Sequence, residues 1–327
     1  MSPAPSTPKA WRTVTAIAAG IALSACTTLP MVQTAEDKRR AELAEQERQV
    51  ARSSALCRPE PGTPFVLRKK VLVLAMPVTH SSQAADLPGI ASAWPRELQR
   101  RLAKTDRFLL RDGTTYTLDP LRSVAEQITT LARQFDAQVV VSGEFTSLGT
   151  RRGEISLGRF KPIAMPSGDE RVLETTLTIH DGYSGAAIAH LQHNTAVKGK
   201  VDNRGHSTLS SDFFTTTLGQ RIDELLRQQT EAVEDALACL PMQARIIGTS
   251  EGRVHLDAGF TSNLQAGMRL RLFVNESNSR GPGGQPLSQE RPLGELLVEQ
   301  VYPEQALARF DSGLTLELRS SAHVRAW

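Results

Sequence analysis

From Lys69 to Val78 the chain reads KKVLVLAMPV, an apolar, β-branched run bounded by a charge pair and Pro77, which is the pattern of a buried strand. The next segment, GIASAWPRELQRRLAKTD, places Ile90, Trp94, Leu98 and Leu102 near helical spacing, with Pro95 expected close to the start of that helix. RFLLRD predicts a short strand. In LDPLRSVAEQITTLARQFD, Asp119 is the expected cap and Pro120 the first helical residue, with Leu121, Val124, Ile128 and Leu131 on one face. AQVVVSGEFTSLG predicts another buried strand. Two longer strands follow, turning at Asp181-Gly182-Tyr183-Ser184-Gly185. In the first of them Leu173, Thr175, Leu177 and Ile179 alternate with Glu174, Thr176, Thr178 and His180, as in a sheet with one wet face. A long amphipathic segment from Phe213 then runs to the neighbourhood of Cys239. The order β-α-β-α-β-β-β-α predicts an α/β sandwich over residues 58–240.

After Pro241 the period changes to two, and no helical pattern returns. QARIIGT, RVHLDA, MRLRLFVN, GELLVEQVYP, QALARFD and AHVRAW read as short alternating strands. Residues 241–327 are therefore expected to form a small all-β barrel of SH3-like or OB-like type, and the fold class is α+β. Between Asn275 and Arg291 the polar, Gly/Pro-rich stretch NESNSRGPGGQPLSQER predicts a long loop.

The first residues follow a different logic. Lys9 and Arg12 precede the short apolar run VTAIAAGIALSA, which ends in Leu23-Ser24-Ala25-Cys26. Residues 1–25 fit an export signal, and small residues before a cysteine resemble the lipobox of bacterial lipoproteins, in which the Cys26 sulfur takes a diacylglycerol. An ordinary signal peptide with a cysteine at its end is the plainer alternative. Thr27, rather than an aspartate, follows Cys26, so the lipobox resemblance implies the outer membrane. Residues 26–57 are rich in charge and helix formers and poor in large apolar side chains, as in a solvated helical or flexible connector. With Cys26 lipidated, Cys57 and Cys239 are the remaining thiols, and an oxidising compartment favours a disulfide between them over two separate buried thiols.

Composition narrows the function. With 40% hydrophobic and 22% charged residues the chain reads as globular, and a net charge of +3 with no basic stripe argues against a nucleic-acid partner. Gly248-Thr249-Ser250-Glu251-Gly252 matches the G-x-S-x-G of a hydrolase nucleophile turn, which must launch a helix. Here Val254 and Leu256 alternate with Arg253, His255 and Asp257, so a strand follows instead. Ser250 is expected in a hairpin, with Gly252 as the left-handed residue of a three-residue loop. Asp311 and His323 follow in an order that a triad could use, yet no oxyanion loop is evident. His190 and His193 lie three apart on a strand and face opposite sides, so they make poor metal partners. His180, Asp181, Asp202 and His206 are expected on solvated surface. No metal, nucleotide or other cofactor motif is present, and a non-enzymatic protein is expected.

The two-part order carries a resemblance. RKKVLVLAMPV opening an α/β sandwich is similar to the N-terminal domain of TolB. The segment ARIIGTSEGRVHLDAGFTSNLQAGMRLRLF, with Gly259 and Gly267 at its turns, resembles the last domain of the flagellar assembly protein T (FlgT) family. The resemblance covers about residues 58–327. It implies a periplasmic, non-enzymatic component of the basal-body outer ring. The implied partners are the flagellar P and L rings and the ring proteins that hold the stator, with a homo-oligomeric ring as the assembly. Two departures stand out: a charged connector where the family has a separate N-terminal domain, and a lipobox in place of a plain signal.

Overall fold

The apolar run at the start of the first region becomes a central strand because it is needed on both faces of a sheet. The computed structural model describes residues 67–153, 167–199, 207–280, 286–310 and 322–326, all within one compact unit. In it β1 (Lys69–Leu74) is buried along its whole length. It is followed by α1 (Ile90–Ala103), β2 (Phe108–Gly113), α2 (Val124–Gln134) and β3 (Val139–Ser147). β1 lies between β2 and β3 and is parallel to both. Then come β4 (Thr150–Gly153), β5 (Ser167–Asp181), β6 (Ala187–Lys198) and α3 (Thr217–Ala238). β5 runs antiparallel to β3, β4 and β6, giving a mixed six-stranded sheet ordered β2-β1-β3-β5-β4 with β6 also on β5. β4 is a strand that the hydrophobic pattern does not announce.

On one face Val71, Val73, Val139, Val141, Leu177 and Ile179 pack under α1 and α3. On the other, Leu72, Leu74 and Val140 pack under Ile128 and Ala132 of α2. A strand covered on both faces loses its alternation, hence the unbroken KVLVL. Two polar side chains cross the main core in good order. The Trp94 indole N–H donates to Gln229 Oε1 at 2.8 Å, and Gln229 Nε2 donates to Thr175 Oγ1 at 2.7 Å.

Three local expectations need correction. Pro95 is the sixth residue of α1, well inside it. Its missing N–H leaves the Ala91 carbonyl without a helical donor, and the Met76 N–H fills the place at 2.9 Å, so the adjoining segment repairs the helix. The second helix starts at Val124, with Ser123 as its cap accepting from the Glu126 N–H at 3.4 Å. Asp119 instead makes a turn with the Leu121 N–H at 2.9 Å, and Leu121 is 93% exposed. His180, expected on the wet face, is buried; its Nε2 meets Ser142 Oγ at 2.9 Å, and burial pulls its pKa down.

The second region comprises β7 (Met242–Ser250), β8 (Arg253–Leu256), β9 (Arg269–Arg280), β10 (Pro286–Val301), β11 (Ala306–Phe310) and β12 (Ala322–Ala326). All pairs are antiparallel and close as β10-β11-β8-β7-β12-β9. Six strands enclose a narrow interior, which Ala244, Ala306, Ala308, Leu270, Leu272 and Val324 fill. The Asn275–Arg291 stretch is not the long loop that its composition predicts. β9 continues to Arg280 and β10 starts at Pro286, paired with each other, because ladder hydrogen bonds need no apolar side chains. A mixed sheet with helices, followed by a closed barrel, is an α+β architecture.

Candidate functional site

Of the residues singled out from the sequence, Cys26, Cys57, Asp202, His206 and Asp311 lie outside the described residues. Cys239 is the C-cap of α3. His190 is exposed, with Nδ1 at 3.1 Å from Thr178 Oγ1, while His193 is half-buried on the opposite face of β6. Among the described residues there is no group of three or more His, Cys, Asp and Glu side chains that could hold a metal ion. Nor does any described helix have the length and apolarity to cross a membrane.

Ser250 occupies a hairpin tip, as expected, although the loop is one residue shorter. Ser250 pairs with Arg253, and the two residues between them, Glu251 (φ 52°) and Gly252 (φ 74°), are both left-handed. That is a two-residue turn of the kind that suits strand twist. The Ser250 Oγ lies 2.6 Å from His255 Nε2 in an exposed position. His323, the base that chain order would supply, is buried in β12 and stacks on Phe273 at 5.9 Å.

The charged groups converge elsewhere, between the lower end of the sheet and the barrel. Gln138, buried just before β3, donates from Nε2 to the Pro241 carbonyl at 2.6 Å and accepts from the Gln243 N–H at 3.0 Å. Its own backbone accepts from Gly182 and donates to Lys70. One amide thereby ties β1, β3, the β5–β6 turn and the first barrel strand. Beside it the Arg68 N–H donates to the Ser262 carbonyl at 3.1 Å, and Leu67 packs against the barrel core.

Around these contacts sits an ionic cluster. Lys70 Nζ donates to Asp136 Oδ2 at 2.5 Å and to the Asp257 carbonyl. Arg111 reaches Asp136 at 3.4 Å and Arg245 reaches it at 3.9 Å. The Arg245 guanidinium also donates to the Ala137 carbonyl at 3.3 Å and lies 5.0 Å from the centre of the Tyr183 ring. The Arg245 N–H donates to Asp257 Oδ1 at 2.7 Å. Burial raises the Asp257 pKa to about 6, Lys70 opposes the shift, and both the charge of Asp136 and a hydrogen bond to its side chain add to it. Burial also pushes the Tyr183 phenol well up, assisted by the charge of Asp257. The available signal in the sequence was the Lys69-Lys70 pair opening an apolar strand and Asp257 in the LDAG turn. Both sit at element ends, where periodicity says nothing about partners.

With this geometry in hand, the comparisons bear on the first region. Residues 63–208 match the family model of flagellar assembly protein T, middle domain. The matched segment contributes Lys70, Arg111, Asp136, Gln138 and Tyr183 to the joint, and Arg245 and Asp257 come from beyond it. No curated protein matches the chain. Among solved structures, CT253 from Chlamydia trachomatis is similar at 20% identity, over 52% of this chain and 98% of that one, with a TM-score of 0.37. Lipoprotein GNA1162 from Neisseria meningitidis follows at 12% identity, 50% and 99% coverage and a TM-score of 0.28. TolB from Acinetobacter baumannii gives 11% identity, 76% and 48% coverage and a TM-score of 0.25. With TM-scores this low, these three likenesses carry no functional assignment.

Proposed function

We propose that this chain is a structural assembly factor of the flagellar basal-body outer ring, working through protein–protein contacts. The observation that carries the reading is the middle-domain match over residues 63–208. Lipid on Cys26 would hold the protein at the periplasmic side of the outer membrane and raise its effective concentration there. In this reading residues 58–240 and 241–327 are the two folding domains, the second an SH3-like or OB-like barrel. A Cys57–Cys239 disulfide would tie the ends of the first domain. Ring proteins around the P and L rings, those that hold the stator, and further copies of this chain are the proposed partners.

The reading gives the protein no catalytic role and no cofactor. Ser250 sits on an exposed two-residue turn that leads into a strand, so nothing there screens a tetrahedral oxyanion from water. The decisive experiment is to purify hook–basal bodies from the native organism and blot for the protein. Co-purification with the outer rings is expected, and its loss in Cys26→Ser would tie ring occupancy to the lipid. Absence from the rings, with the protein still in the outer-membrane fraction, would replace this reading by a general envelope lipoprotein with another partner.

A further inference from the structure

Among the described residues the sheet of the first region has three edge strands, and they are not alike. A strand edge presents a row of backbone N–H and C=O groups with which another strand can pair. Folded proteins therefore blunt their edges with charge, proline, shortness or a covering group. β2 is six residues long, carries Arg111 and Asp112, and has the Arg111 carbonyl taken by Gln99 Nε2 at 2.9 Å. β4 has only four residues.

β6, on the other side of β5, has none of these devices. It runs for 12 residues, AIAHLQHNTAVK, without proline, and Lys198 at its end is its only Lys, Arg, Asp or Glu. Its register with β5 is unbroken from Ala189 to Lys198. Among the described residues its backbone bonds to β5 alone. Ala189, Leu191 and Val197 turn toward the core on the side of α3, while His190, Gln192, Asn194 and Ala196 are exposed on the other side. The outer edge of β6 lies in the plane of the sheet between those two faces.

We propose that this edge is a contact between two copies of the chain. β6 pairs antiparallel with β6 of a second copy about a two-fold axis at Gln192, so that two six-stranded sheets become one. An antiparallel ladder has two-fold symmetry of its own, so such an edge already fits its copy. A head-to-tail contact would need a second usable edge, and β2 and β4 do not offer one.

The side chains agree with self-pairing. With the axis perpendicular to the sheet, core-side residues stay together, Leu191 opposing His193 and Ala189 opposing Thr195 across the axis. On the open side His190 opposes Asn194, and Gln192 opposes itself, its amide supplying both donor and acceptor. The two Lys198 side chains end about 40 Å apart, far beyond the range of screened repulsion. Pairing along the strand forms about ten backbone hydrogen bonds, as many as a whole interface of standard size carries. The proposal does not rest on the flagellar reading, since a dimer through β6 can exist in any envelope protein.

Thiol cross-linking of the full-length chain in cells, read on non-reducing gels after mild oxidation, tests the pairing and its register. Residues opposed across the axis have Cα atoms about 4.5–5.5 Å apart, within disulfide reach. Gln192→Cys should therefore give a dimer band absent from the natural chain and from Leu121→Cys, a fully exposed control. His190→Cys and Asn194→Cys should cross-link when co-expressed. Neither should do so alone, because like positions lie about 14 Å apart. In sedimentation of the detergent-solubilised chain, Gln192→Lys places two ammonium groups on the axis and should weaken dimerisation about tenfold. A natural chain that sediments as a monomer overturns the proposal, as does a Gln192→Cys dimer band no stronger than that of Leu121→Cys. A dimer that keeps its strength in Gln192→Lys lies on another surface and equally overturns it. Cross-linking of Gln192→Cys to a different protein, without the dimer band, gives the edge to another partner and rejects the second copy. Co-purification with basal bodies is a separate readout, so the failure of either reading leaves the other standing.

Discussion

The sheet and the barrel solve the same problem of burial with opposite materials. The sheet core is built on large side chains, Trp94, Phe145 and Phe213, and threads a polar chain from Trp94 through Gln229 to Thr175. The barrel core is built on alanine, leucine and valine. The difference is geometric. A sheet with helices on its faces can set the interlayer distance to suit a Trp–Phe edge contact, here with ring centres 5.2 Å apart. A closed six-stranded barrel has its radius set by strand number, so alanines make room for leucines across the interior. The sheet region also buries charge, with Arg171 paired to Asp86. A further ionic cluster lies where the two regions meet.

The largest test of this contrast is Trp94→Ala, expected to cost about 3–5 kcal/mol in denaturant unfolding, from a lost aromatic and a stranded Gln229. If the halves unfold separately, two transitions appear and only that of the sheet moves. If the joint couples them, both move together. Next comes Ala308→Leu, which overfills the barrel and should cost about 1–3 kcal/mol, with exchange quickening first in β8 and β11. The same change at an open-faced sheet would be mild, so a negligible effect would contradict the fixed radius. Gln138→Ala strands the Pro241 carbonyl and the Gln243 N–H, for a loss of about 1–2 kcal/mol felt at the joint rather than in either core. Smallest of all, Ser250→Ala should stay within about 0.5 kcal/mol and leave ring co-purification unchanged. A loss of ring occupancy would reveal that the exposed hairpin tip is a contact.

The misread positions share a cause. The Asp119-Pro120 pair is a good helix start by local rules, yet Ser123 with Glu126 three residues on is the start used, so Leu121 stays in water. Both signals were present, and packing of Ile128 and Ala132 on β1 and β3 chose between them. Pro95 looked like a helix start because its missing N–H is harmless there. It lies inside α1 because Met76, in the segment just after β1, supplies the missing donor. The polar stretch from Asn275 looked like a loop since composition reports side chains, whereas pairing between β9 and β10 uses backbone. His180 was given to solvent by alternation alone, and Ser142 on the neighbouring strand made it an interior residue.

What the sequence by itself determined is the set of elements and their class: buried β1, the two-period strands after Pro241, the turn at Ser250, and the family pattern of the first region. These follow from periods of two and 3.6 and from Gly and Pro, all of which act within a few residues. Tertiary structure alone decided that Lys70, Asp136, Tyr183, Arg245 and Asp257 meet. They come from five separate places in the chain, and charged side chains at element ends carry no periodic signal. Their attraction and repulsion exist only once two independently patterned cores are brought together and water is excluded between them.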